Sequence, residues 1–175
     1  WFYVEDWNNR FGETKTLLSR KTDGAHIPRI VLDDVMNNIK ITIGCYSDGS
    51  GGVINHDCEV RNFPLQSWVN LTISVYGRTL DVYMDGKLVR TCMLPNTAKT
   101  SATDSIFVTP DGGFKGLTAN FKYWNDSSNP QQVYNIYKDG YSGSAFGSAV
   151  GSMANKYSLK FSFMENNKEK TSYEF

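Results

Sequence analysis

A chain of 175 residues is long enough for one domain with its own core, and 40% hydrophobic with 21% charged residues excludes a disordered chain. Basic and acidic side chains number 18 each, so no net field recruits nucleic acid or an anionic membrane. No run approaches the roughly 20 apolar residues that span a bilayer.

Ten Tyr, ten Phe and four Trp suit half-buried pleated surfaces and point to an all-β protein. The opening WFYVEDW, NNRFGE and TKTLLSR predict a strand, a loop and a second strand by Arg20. The chain opens on Trp1 rather than Met, which predicts a fragment or processed product. On that reading a signal or anchor can precede it, and membrane contact would come only through such a segment. Next, RIVLDDVMNNIKITIGCY predicts two strands around a tight turn at Asn37-Asn38, because Asn tolerates positive φ. Ser47–Gly52, SDGSGG, is a loop, and CEVRNF from Cys58 is a short strand that Pro64 ends.

The clearest pattern is WVNLTISVYGRTLDVYMDGKLVRT. Val69, Leu71, Ile73 and Val75 share one face, since side chains alternate along a strand. A turn at Gly77-Arg78 predicts Val75 opposite Leu80, Ile73 opposite Val82 and Leu71 opposite Met84. Asp85-Gly86 predicts a second hairpin, with Val82 opposite Val89 and Asp81 opposite Arg90. Three strands then bury one face and wet the other.

After Pro95, NTAKTSATDS is loop-like, and SIFVTP and GLTANFKYW resume strands. One helix follows: Asn129 caps it, Pro130 takes its first position, Gln132 completes a capping box and Gly140 closes it. Val133, Ile136 and Tyr137 form its apolar stripe. Three segments result: a sandwich over 1–140, a Gly/Ser/Ala-rich linker or arm over 141–155, and a C-terminal strand and tail over 156–175. In that strand Tyr157, Leu159, Phe161 and Phe163 alternate and call for a partner sheet.

Catalytic chemistry finds little footing. Nucleophilic catalysis most often needs a His as base; His26 and His56, the two histidines, sit in turn-like settings next to polar residues, where a lone loop histidine is usually solvated. SDGSGG and PDGG lack the strand-to-helix context of a phosphate cradle. Glu5-Asp6 and Asp33-Asp34 are adjacent pairs, whose side chains point to opposite strand faces, and no E-x-D-x-E alternation occurs. Asp104, Asp111, Asn120 and Asp126 are loop oxygens that could converge on calcium, without EF-hand spacing; Asp104 and Asp111 are the weak candidates, and solvated carboxylates are the alternative. Tyr123 and Trp124 could stack on a sugar or fill a core. Asn70 and Asn125 head sequons, Asn70 being a poor acceptor in mid-strand. Cys45, Cys58 and Cys92 have no metal-type spacing, leaving either one disulfide with a free thiol or three reduced thiols.

PLQSWVNLTISVYGRTLDVYMDGKLVRTCMLP, with VTPDGGFKGLTANFKYWN and NPQQVYNIYKDG, resembles the laminin-G-like branch of the concanavalin A-like lectin/glucanase superfamily over roughly Trp1–Gly140. Its wording is similar to that of virion-associated proteins of large icosahedral double-stranded DNA viruses of algae and protists. The resemblance implies a two-sheet antiparallel jelly-roll sandwich with one short helix and a C-terminal extended arm. It implies Cys58 paired with Cys92 in preference to Cys45 with Cys58, and no hydrolysis, because the acidic strand motif is missing. Calcium is the only cofactor it leaves open. The expected function is that of a minor capsid component in the virion, acting without catalysis through contacts with other capsid proteins or copies of itself. The alternative is a glycan-binding, lectin-like module.

Overall fold

The computed structural model describes residues 1–22, 24–48 and 51–141, together with the backbone of 160–165 and 168–174. The chain divides into two compact units, Trp1–Tyr141 and Ser142–Phe175. In chain order the first carries β1 (Phe2–Val4), β2 (Lys15–Thr22), β3 (Ala25–Leu32), β4 (Ile39–Tyr46), β5 (Val53–Val60), β6 (Trp68–Val69), β7 (Leu71–Tyr76), β8 (Thr79–Met84), β9 (Lys87–Met93), β10 (Phe107–Val108), β11 (Gly116–Thr118) and α1 (Pro130–Lys138). It is an all-β sandwich. One sheet runs β10-β2-β3-β4-β5; facing it are β7-β8-β9 and β11-β1-β6, and every pairing is antiparallel.

Alternation builds the core. Ile39, Ile41, Ile43 and Cys45 turn inward from alternate β4 positions, and Leu80 and Val82 meet them from β8. Phe63 is fully buried at one end, with Phe2 and Trp7 edge-on at 5.5 and 5.8 Å between ring centroids. Cys58 of β5 and Cys92 of β9 form a disulfide that ties the two sheets together.

The β7–β8 register is the expected one: Leu71 faces Met84, Ile73 faces Val82 and Val75 faces Leu80. The Asp85-Gly86 turn also forms as expected, both residues having positive φ, 51° and 74°. Beyond it the expectation fails. A bulge at Val89 puts Val82 opposite Arg90 and Asp81 opposite Thr91, whose Oγ1–H donates to Asp81 Oδ1 at 2.6 Å. The expected Asp81–Arg90 pair is therefore replaced by a neutral donor. The outer face is also drier than expected. Thr72, Ser74 and Tyr83 are buried there, with Ser74 Oγ bonded to both the N–H and the C=O of Ser128 in the lead-in to α1.

Other connections differ too. The β3–β4 link is not a two-residue turn at Asn37-Asn38. It spans 33–38, because Asp33 Oδ1 accepts the N–H groups of Val35 and Met36 and curls the chain earlier. Those two bonds, Met36's first, hold the Asp33 carboxyl below the usual range. His26 and His56 lie within β3 and β5 rather than in turns, and β5 starts at Val53 rather than Cys58.

Helix α1 follows its sequence signals closely. Asn129 Oδ1 accepts the Gln132 N–H and Gln132 Oε1 accepts the Asn129 N–H, completing the box around Pro130. Val133 is its buried anchor. Asn129→Ala removes one half of the box and is expected to lower unfolding stability by about 1 kcal/mol in urea titration.

In the second unit the backbone of β12 (Lys160–Glu165) and β13 (Lys168–Glu174) forms an antiparallel hairpin. The expected C-terminal strand is thus paired within its own unit. The linker at 142–155, with Tyr157 and Leu159, lies outside the described residues.

Candidate functional site

The sandwich is stapled along one side and open along the other. The disulfide closes the β5/β9 side, whereas a cavity of about 630 Å³ opens between β7 and the β10/β2 side. Leu17, Leu18, Ile30 and Ile43 of the larger sheet form its apolar floor. One wall is Asn70–Gly77, comprising all of β7; the other runs from Thr118 to Ser128.

Backbone alternation explains the opening. The Asn70 N–H donates to Asp85 Oδ1 and its C=O accepts the Asp85 N–H, so Asn70 faces the β8 side. Its odd-numbered neighbours Val69, Leu71, Ile73 and Val75 therefore turn their backbone groups the opposite way. At Val69 that edge meets β1, through the pair Phe2–Val69. From Leu71 onward no strand among the described residues pairs with it, and the edge borders the cavity.

The far wall was expected to be strand through Trp124. Strand structure covers Gly116–Thr118 alone, which is the length that β1 accompanies: Thr118 faces Phe2, and the Ala119 N–H reaches the Trp1 carbonyl. Asn120 then takes positive φ, 49°, and donates to the Gly140 carbonyl. A strand edge without a neighbour has no ladder to hold it extended.

Around the mouth stand Tyr76, Val108, Phe121, Tyr123 and Trp124, all exposed, at 41–77%. Arg20 is buried beside Tyr123 without lining the cavity. Its Nε donates to the Asp104 carbonyl at 3.0 Å and its Nη2 to the Ser101 carbonyl at 2.5 Å, with the guanidinium 5.7 Å from the Tyr123 ring centre. At the inner end, burial lowers the pKa of the Trp1 α-amino group, and the Trp1 ring stacks on Tyr137 at 5.7 Å. Such a site can enclose apolar surface while offering amides and hydroxyls along its walls.

The sequence-derived candidates scatter. Tyr123, Trp124, Asn120, Asn125 and Asp126 all border this cavity. Asp104 does not line the cavity; its carbonyl accepts from Arg20, and its carboxyl is held below the usual range by hydrogen bonds from Ser101 and Thr22. Asp111 lies in the Pro110–Gly113 turn, which Arg10 Nη1 binds through the Asp111 and Gly113 carbonyls. Among the described residues no group of three His, Cys, Asp or Glu side chains comes together. Asn70 is buried and its side chain accepts the Thr72 hydroxyl, so it cannot carry a glycan in this fold, whereas Asn125 is exposed. His26 is partly buried with Nδ1 unpartnered, its pKa lowered by desolvation and then by Arg29 and Lys21. Cys45 is the free thiol, fully buried, and burial raises its pKa. Sequence reasoning missed the cavity itself, since its two walls, Asn70–Gly77 and Thr118–Ser128, lie far apart along the chain and carry no shared motif.

No protein-family model and no curated protein sequence matches the chain. The fold does have solved neighbours. The binding domain of botulinum neurotoxin serotype G superposes with a TM-score of 0.51 and 15% identity, over 78% of this chain and 34% of the toxin chain. An S-layer domain-containing protein of Clostridium thermocellum aligns with a TM-score of 0.30 and 13% identity, over 78% of this chain and 66% of that one. This chain thus spans about a third of the toxin structure it matches, and the likeness is one of fold: a β-sandwich.

Proposed function

We propose that the chain is a non-catalytic, laminin-G-like binding module that serves as a minor capsid component of a large double-stranded DNA virus. It acts in the virion through contacts with other capsid proteins or with copies of itself. One observation carries the assembly reading: β5 and β9, the two strands that the disulfide staples, are both terminal strands of their sheets. They span eight and seven residues, longer than the usual five or six, and expose Ile54, Leu88, Val89 and Met93 at 45–65%. Long edges with apolar residues are templates for pairing with another chain. The bulge at Val89 and the charges of Lys87 and Arg90 restrict that pairing to a partner shaped for them.

Sedimentation velocity of residues 1–175 tests this. Concentration-dependent association is expected, and Leu88→Lys with Met93→Lys, both on exposed positions, should return the chain to monomer with its circular dichroism unchanged. A monomer at every concentration would remove the self-assembly form of the reading. The second reading, glycan binding, is favoured by Tyr123 and Trp124 beside Asn120, Asn125 and Asp126 at one cavity mouth. A glycan array on the same preparation decides it, with Trp124→Ala as the control.

A further inference from the structure

The cavity continues the ladder position that β1 occupies. β1 lies between β6 and β11, so at Phe2 those flanking strands stand two strand spacings apart, roughly 9–10 Å. Beyond Trp1 the two walls continue as β7 and as Ala119–Trp124, and the cavity between them is lined by both along their lengths. Leu71, Ile73 and Val75 turn their N–H and C=O groups to this lane, away from β8, and among the described residues no strand pairs with them there.

We propose that the lane is a strand-acceptor site, filled by an extended peptide segment of about six residues that enters as a continuation of β1, joined to the α-amino nitrogen of Trp1. It would pair antiparallel with β7 over Leu71–Tyr76 and complete the sheet between β7 and the Ala119–Trp124 wall. The register set by Phe2–Val69 fixes its chemistry. Phe2 and Val4 face the core, so the first, third and fifth residues counted outward from Trp1 do the same and stand over Leu17, Leu18, Ile30 and Ile43. These positions call for apolar side chains. The second and fourth lie beside Thr72 and Ser74, whose side chains are buried on the other face beneath the Ser127-Ser128 turn, and call for small hydroxyl residues. One further feature fits a strand passing through this point: Tyr76, Phe121, Tyr123 and Trp124 are exposed along the lane that the strand would cover. A fatty acyl chain would suit the apolar floor but would leave the β7 backbone groups unpaired, so the backbone favours peptide.

This site is independent of the virion reading, because it concerns the opposite side of the sandwich from β5 and β9. The test extends residues 1–175 at Trp1 by six residues alternating Val and Thr, with Val at the first, third and fifth positions counted outward. Amide hydrogen exchange at Leu71, Ile73 and Val75 is read by NMR. The fused segment is expected to slow those three amides by at least about tenfold, while Thr72 and Ser74, already bonded to β8, change little. The same residues moved out of phase by one position should give no such protection, since every Val would leave the core. Unchanged exchange with the in-phase fusion would overturn the proposal. So would protection given equally by both phases, or given only by the free peptide added in trans or by palmitate.

Discussion

Phe63→Ala is expected to be among the most damaging single substitutions in the first unit, lowering unfolding stability by about 3–5 kcal/mol. Phe63 is fully buried where three parts of the chain meet: its ring packs edge-on against Phe2 of β1 and Trp7 of the following loop. Its backbone is engaged as well, since its N–H donates to the Asn37 carbonyl and its C=O accepts from Asn37 Nδ2 at 2.8 Å. Pro64 follows at once and holds the chain there, so the site cannot collapse inward to refill the space. Urea denaturation should show the lowered midpoint with an unchanged slope. Phe63→Leu, which keeps most of the volume, should recover more than half of the loss. A loss below about 1 kcal/mol for the alanine variant would mean that the Phe2–Phe63–Trp7 cluster is not packed as described.

The second large effect belongs to the disulfide. Cys58 and Cys92 are 34 residues apart, and closing a loop of that length restricts the unfolded chain by about 4 kcal/mol in the chain-entropy account. Cys92→Ala is therefore expected to cost roughly 2–5 kcal/mol, whereas Cys45→Ala, which removes a small buried thiol, should cost much less. Thiol counting separates the alternatives. The folded chain should resist alkylation at neutral pH, because Cys45 is fully buried and its thiol pKa is raised. Unfolded without reductant it should take one alkyl group, and with reductant three. Two or more groups before reduction would show that the β5–β9 staple is absent. Loss of the staple would also free the two edge strands from one another, so Cys92→Ala should alter association as well as stability.

Much of the fold was legible because its signals are local. The β7–β8 register follows from the two-residue turn at Gly77-Arg78 together with alternation, and α1 follows from Asn129, Pro130 and Gln132 within four positions. The β8–β9 turn was equally legible, yet the register past it was not. The bulge at Val89 puts Cys92 opposite Leu80, on the core face, where it meets Cys58, a partner on another sheet. The Asn37-Asn38 turn failed for a similar reason: the Asp33 carboxylate competes for the backbone first, and nothing in the apolar pattern announces that.

The candidate site divides along the same line. Tyr123 and Trp124 were visible as aromatics, and the sequence by itself determined an all-β chain, its β7–β8 hairpin, its capped helix and a balanced charge. Only the tertiary structure decided that these aromatics stand at the mouth of a cavity walled by β7, whose Leu71, Ile73 and Val75 meet no partner strand on that edge among the described residues. Periodicity states which residues share a face of a strand. Which edge of that strand meets a neighbour depends on segments far apart in the chain, and those are brought together by packing alone.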